Sequence, residues 1–280
     1  LILIAALAAA GYTAAASYLY VAQEDMVFPK YINEISVTAD TLKAKPLMLE
    51  REGKPTLHGG GIGLENKHPQ TLVIVFGGNA HDVAGFVNYW GTDILPANAS
   101  VTVIGYAYRG YGTFLTPKSE GTPTQDNILE DAADIIAHSR AIYPAQKLVL
   151  VGYSLGASVA AHAAYALQNG GQGADALVMV TPFASIKRMA SEGYPWLPVS
   201  TLLKYPFNTE AILGKLTLPI TLMPGSEDTL IPPAHLGYLT AAQPAAHVLM
   251  LEGTNHGDAL YHPALKSYLA TLTTAGVPQR

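Results

Sequence analysis

The chain contains no cysteine. That absence excludes a disulfide framework, a thiolate nucleophile and a Cys-ligated zinc site. Charge is also scarce. Asp, Glu, Lys and Arg make up 13% of the residues against 49% apolar ones, the reverse of the balance that keeps a chain disordered. The net charge is −5, and the basic residues are scattered rather than gathered in a stripe. Nothing here neutralises a run of phosphates, so nucleic acid is not an expected partner. No internal repeat breaks up the 280 residues, a length that α/β folds commonly reach as one unit.

Charge is missing altogether from residues 1–22. At the α-helical rise, such a run reaches across a bilayer core. Three readings compete. A membrane anchor suits the length and the positions of Tyr12, Tyr18 and Tyr20 near one end, where amphipathic rings sit at an interface. A cleaved secretory signal suits the apolar run 1–10 followed by the small residues Ala14, Ala15 and Ala16. The third reading is an Ala-rich helix packed on a globular domain. The chain starts at Leu1 rather than at a methionine, which leads us to expect residues upstream. The expected organisation is an anchor or signal segment plus linker over 1–30 and one domain over 31–280.

Beyond the leader, short apolar runs alternate with helical patterns, which predicts βαβ units and a mostly parallel sheet. Strands are expected at 71–76, 101–106, 147–151, 176–181, 218–223 and 246–251, each bounded by Gly, Pro or polar residues. Helices are expected at 83–89, 127–142, 155–167, 233–242 and 258–273. The runs 47–51 and 56–64 suit an antiparallel edge. The Pro-rich stretch 194–206 interrupts the alternation and suits an insertion over the carboxyl ends of the strands, where open α/β sheets bind ligands.

The central chemical signal is Gly152-Tyr153-Ser154-Leu155-Gly156, a G-x-S-x-G pattern. It follows the apolar run 147–151 and opens a small-residue helix, the strand–turn–helix context of a nucleophile elbow. The competing reading is a serine that merely caps an ordinary helix. A serine hydroxyl needs a general base, and the base needs a carboxylate to orient it. In this architecture the chain order is Ser, then acid, then His. Asp228 follows the expected strand 218–223, and His256 follows 246–251, so both fall on the same rim as Ser154. Glu227 is the alternative acid. His162 lies inside the helix after the elbow, His58 and His68 come too early, and His138, His235, His247 and His262 are read as surface or structural residues. Attack on a carbonyl also needs oxyanion donors. The backbone N–H of Leu155 is one. Gly77-Gly78-Asn79 after the strand 71–76 offers the other through the N–H of Asn79. His81 and Asp82 are expected to cap the next helix rather than hold a metal.

These residues resemble the α/β-hydrolases of the Bem46 type, similar to the mammalian ABHD13 and ABHD17 proteins and related to the S33 serine peptidases. The likeness extends to Tyr108-Arg109-Gly110-Tyr111-Gly112, to Ser119–Thr124, to Thr181-Pro182-Phe183-Ala184-Ser185, to 194–199 and to 25–29. It implies an α/β-hydrolase fold: a mostly parallel eight-stranded sheet with helices on both faces and a short cap over about 186–215. It also implies Ser154, Asp228 and His256 as the catalytic triad, with Asn79 and Leu155 as oxyanion donors. The chain departs from the family's His-Gly-Asn at Gly77, from its common Asp at Ala107, and carries a small insertion at 113–119.

The expected activity is hydrolysis of an acyl ester or thioester, with a small-molecule or lipid-like substrate, association with a membrane through 1–22, and no cofactor or metal in the mechanism. An aminopeptidase-like S33 activity is the alternative within the class. A non-catalytic, membrane-tethered binding protein is the alternative outside it. Dehalogenases and epoxide hydrolases use Asp where this chain has Ser154, which counts against them.

Overall fold

The computed structural model describes residues 1–29, 42–95 and 100–274. The expected boundary between leader and domain at 30/31 lies outside the described residues.

Helix α1 (Ile2–Val27) runs further than the uncharged stretch suggests. It continues through Gln23, Glu24 and Asp25 because only one side of that last turn is buried, at Gln23 and Val27. No residue of its most apolar 18-residue stretch is buried, and it is long and apolar enough to cross a membrane or to be a signal sequence. At 1.5 Å per residue it is about 39 Å long. Phe28 then turns into the core and is 2% exposed.

Eight strands form one sheet in the order β1-β2-β4-β3-β5-β6-β7-β8. The edge strands β1 (Lys45–Arg51) and β2 (Lys54–Ile62) are antiparallel to each other, and β2 is antiparallel to β4 (Val101–Tyr106). The rest are parallel: β3 (Thr71–Phe76), β4, β5 (Lys147–Tyr153), β6 (Ala176–Val180), β7 (Ile220–Met223) and β8 (His247–Val248). Every residue of β3, β4 and β6 is buried, as two-face apolar strands under helices must be.

From β3 the chain steps to β4 on one side and to β5 on the other. β3 is therefore the point where the strand order switches, and open α/β sheets bind ligands at the carboxyl ends of the strands beside such a point. Helices α2 (Val83–Tyr89), α3 (Gln125–Ile142), α4 (Leu155–Asn169), α8 (Ala234–Ala242) and α9 (Pro263–Thr274) make the crossovers and flanks. Between β6 and β7 the cap holds three short helices, α5 (Ile186–Gly193), α6 (Val199–Leu202) and α7 (Glu210–Leu213).

Two expectations need correction. The run 246–251 forms only a two-residue strand plus one bridge, Gly225 to Leu251. His247 and Val248 are exposed edge residues, so their apolar neighbours pack inward without a long ladder. The stretch 258–273 is not one helix. A 3₁₀ turn (Asp258–Tyr261) precedes α9, and Pro263, which has no N–H to give, starts the new helix.

An ion-pair network, buried at Arg51, Arg109 and Asp131 and open to solvent at its rim, ties the antiparallel edge to α3. Arg109 grips Asp131 through two bonds, Nε to Oδ2 at 2.8 Å and Nη2 to Oδ1 at 2.7 Å. Arg51 adds its guanidinium to the same carboxylate and to Asp134. Lys54 closes the network on Asp134 at 2.7 Å and Glu130 at 3.0 Å.

Candidate active site

Ser154 stands between β5 and α4 with φ 54° and ψ −116°, a backbone state costly for a residue with a side chain. The two flanking glycines make that turn fit. A Cβ on Gly152 would overlap the Gly156 carbonyl, and a Cβ on Gly156 would overlap the Phe76 carbonyl and lie 2.6 Å from that of Gly77. The Ser154 N–H is held by the Val180 carbonyl at 2.9 Å. The helix-cap reading does not survive. Ser154 occupies the N-cap position of α4 but makes no side-chain capping bond. Its Oγ lies instead 3.0 Å from Nε2 of His256.

Asp228 and His256 arrive on two loops pinned to each other after β7 and β8. The Ser226 N–H donates to Leu251 O at 3.0 Å, the Glu227 N–H to Thr254 O at 3.0 Å, and the Gly253 N–H to Ser226 Oγ at 2.8 Å. Asp228 Oδ2 accepts from His256 Nδ1 at 2.7 Å. Asp228 Oδ1 accepts the N–H groups of Leu230 and Ile231, each at 2.9 Å. With Nδ1 donating to the carboxylate, Nε2 is left as the acceptor facing the serine. Burial works against the charged Asp228. The bond from His256, the two backbone donors and the nearby imidazole outweigh it, so the carboxyl is held below its usual range. Glu227 is exposed and turned away from this network, so Asp228 is the acid that meets the imidazole.

The loop 77–79 lies against the serine: a Cβ on Gly78 would sit 3.6 Å from Ser154 Cβ. Two tyrosines fix the peptide planes on either side of the Gly78–Asn79 peptide. The Tyr108 hydroxyl donates to Gly77 O at 2.7 Å, and the Tyr111 hydroxyl donates to Asn79 O at 2.8 Å. Neither the Asn79 nor the Leu155 N–H donates to an acceptor among the described residues. Both are therefore available to an incoming oxygen. Sequence reasoning missed this role of Tyr108 and Tyr111, although their motif Tyr108-Arg109-Gly110-Tyr111 was in view.

Asp82 caps α2 as expected, accepting the N–H groups of Ala84 at 3.0 Å and Gly85 at 3.1 Å. Its other oxygen accepts the Phe114 N–H at 2.9 Å, which ties the 113–119 insertion to α2. His81 does not cap. Its ring packs 5.3 Å from Tyr153 and 6.0 Å from Phe86, and both ring nitrogens are buried without a hydrogen-bond partner. Burial lowers its pKa to about 4. His162 faces its own helix, with Nδ1 2.8 Å from Ser158 O. His235 is fully buried and accepts the Ala184 N–H at 3.0 Å. Among the described residues no group of three or more His, Asp or Glu side chains is placed to hold a metal ion.

An eight-stranded, mostly parallel sheet with a serine raised on a strained turn at its switch point defines an α/β-hydrolase. The chain belongs to the family described as serine aminopeptidase, S33, which matches residues 67–206, half of the sequence. Among curated relatives it is 28% identical over 150 residues to the alpha/beta hydrolase domain-containing protein WAV2 of Arabidopsis thaliana, covering 48% of this chain and 46% of WAV2. The chain thus spans about half the length of that relative. It is 27% identical over 245 residues to YfhR of Salmonella typhi, covering 78% and 79% of the two chains. Among solved structures, the Pyrococcus furiosus esterase Pf2001 superposes with a TM-score of 0.62 at 16% identity, over 87% of this chain and 95% of that one. At that identity the likeness is one of fold.

Proposed function

We propose that this chain is a serine hydrolase that cleaves an acyl ester or thioester through Ser154, His256 and Asp228. The observation that carries the reading is the unbroken hydrogen-bond chain from Asp228 through both ring nitrogens of His256 to Ser154 Oγ. The Ser154 oxygen attacks the acyl carbonyl while its proton passes to His256 Nε2. Asp228 stabilises the imidazolium that forms. The oxyanion takes hydrogen bonds from the N–H groups of Leu155 and Asn79. Collapse of the intermediate breaks the bond to the alkoxide or thiolate, which leaves with the proton from His256. Water then attacks the acyl-serine, gives its proton to the same nitrogen and releases the acid. The steps call on no metal or cofactor. The neighbour Pf2001 is described as an esterase, which agrees with this choice.

The family's description favours a second reading, an aminopeptidase acting through the same three side chains. Turnover of an aminoacyl anilide compared with that of an acyl ester separates the two. We further propose that α1, together with the residues up to about 30, tethers the hydrolase domain to a membrane. Retention of α1 in the mature protein and resistance to carbonate extraction support the tether, and a mature chain lacking α1 marks a cleaved signal.

The test of the chemistry is direct. Wild-type protein should react with a fluorophosphonate and hydrolyse p-nitrophenyl esters. Ser154→Ala should lose both, with kcat reduced by about 10⁴-fold or more and the circular dichroism spectrum unchanged. Failure of the wild-type protein to label points to a binding protein that kept the fold. Turnover that survives Ser154→Ala refutes the proposal.

A further inference from the structure

Helix α1 and the cap are joined along several turns. Tyr12 meets Trp196 edge-on at 5.8 Å, and Lys204 lies over the Tyr20 ring at 4.3 Å. Gln23 clamps the two together. Its Nε2 donates to Tyr20 O at 2.9 Å and Leu202 O at 3.0 Å, and its Oε1 accepts the Lys204 N–H at 2.7 Å. Phe28 completes the join against Tyr205 at 5.0 Å and Phe207 at 6.2 Å.

Between these contacts runs a cleft of about 110 Å³, with Leu19 and Met26 of α1 on one wall and Ile186, Ala190 and Leu197 of the cap on the other. Its surface is almost wholly apolar. The amide of Gln23, its one strongly polar side chain, is already satisfied on both sides. A polar ligand would find no partner there, whereas a hydrocarbon chain would bury its apolar surface against both walls. The helix forming one wall is the same one whose exposed apolar surface suits a bilayer. Because Tyr12 already touches Trp196, the cap lies beside the helix from Tyr12 to Phe28 rather than below its end. Ile186 opens α5 a few residues past Val180, whose carbonyl holds the Ser154 N–H.

We propose that this cleft binds the hydrocarbon chain of a membrane-resident acyl lipid, entering sideways from the bilayer. The inference rests on the reading that α1 is a membrane tether, and it stands apart from whether Ser154 is a nucleophile.

The experiment uses the full chain with Ser154→Ala, mixed with phosphatidylcholine vesicles containing a palmitic acid with a terminal diazirine. Flotation with the vesicles reads the tether. In the floated protein, irradiation should place adducts on the peptides covering 19–27 and 186–203. Ala190→Trp, which fills the cleft, should lower those adducts by about tenfold while leaving adducts on residues 2–18 unchanged. Leu197→Gln, at a half-buried wall position, asks the same question should the tryptophan variant fail to fold. Adducts confined to 2–18, or cleft adducts indifferent to both variants, overturn the cleft. A folded chain that does not float overturns the tether and, with it, entry from the bilayer.

Discussion

The hydroxyl of Tyr153 donates to the backbone carbonyl of His256 at 3.0 Å. The residue before Ser154 thus holds the loop of His256, and its ring packs 5.4 Å from the imidazole as well. Ser154 and His256 are 102 positions apart in the chain, yet one side chain spans the two. Removing the hydroxyl while keeping the ring tests this. Tyr153→Phe should lose about 1 kcal/mol of stability and lower kcat several-fold with KM little changed, measured by urea unfolding and ester kinetics. Equal stability and equal kcat would show the bond to be idle.

Asp228→Asn keeps the shape of the site but offers an amide N–H to Nδ1. The imidazole must then present its own N–H to the serine, which is the wrong tautomer. We expect kcat to fall by about 10⁴-fold, with much slower fluorophosphonate labelling, and little change in the folded spectrum. The lowered pKa of this carboxyl adds a pH signature. Its folded value lies below its unfolded one, so its contribution to stability is present above the unfolded pKa and fades as pH drops through the folded value. Acid unfolding of Asp228→Asn should lack that component.

His81 should make the protein acid-sensitive in another window. Its ring stays neutral in the fold down to about pH 4, whereas the unfolded chain takes up a proton below the ordinary value of 6.5. The unfolded state binds more protons between those values, so stability falls as pH falls. The loss is about 2 kcal/mol between about pH 7 and about pH 5. His81→Phe keeps the aromatic packing and should flatten that slope in urea titrations. An unchanged slope would place the sensitivity elsewhere.

Tyr111→Phe strips the donor from the Asn79 carbonyl. The peptide carrying the Asn79 N–H then loses one of its two fixed neighbours. Donors that must be preorganised for the transition state contribute to kcat more than to substrate binding. A fall of about tenfold in kcat with KM nearly constant is expected. A change confined to KM would mean that this tyrosine shapes the ground-state pocket.

Asp131→Ala should damage stability rather than chemistry. The carboxylate is 3% exposed and serves two guanidiniums, Arg51 at 7% and Arg109 at 9% exposure. Removing it leaves both buried cations short of a partner, at a cost of about 3–5 kcal/mol in urea unfolding.

Much of this was readable from the chain alone, for physical reasons. The strands Thr71–Phe76 and Val101–Tyr106 fall where they were expected because a strand buried on both faces must be apolar throughout and must stop at its turns. That Ser154, Asp228 and His256 would meet was readable because glycines flank Ser154 and because strand ends share one rim. What escaped lay at edges and in pairings. The exposed strand His247–Val248 carries no two-face signature. The last turn of α1 hides behind Glu24 and Asp25, which face outward while Gln23 and Val27 are buried. The hydroxyl partners of Tyr108, Tyr111 and Tyr153 are backbone carbonyls, which leave no trace in residue identity.

Phe28 follows the last turn of α1 directly and is lodged between two aromatic rings of the domain. If α1 is the membrane tether proposed above, Phe28 seated in the domain makes the helix an axle rather than a leash. Its rotational phase would then set the direction in which the Ser154 side of the domain faces. One alanine inserted early in α1 would turn everything upstream by about 100° relative to the domain, while leaving the clamp at Gln23 and the seat of Phe28 untouched.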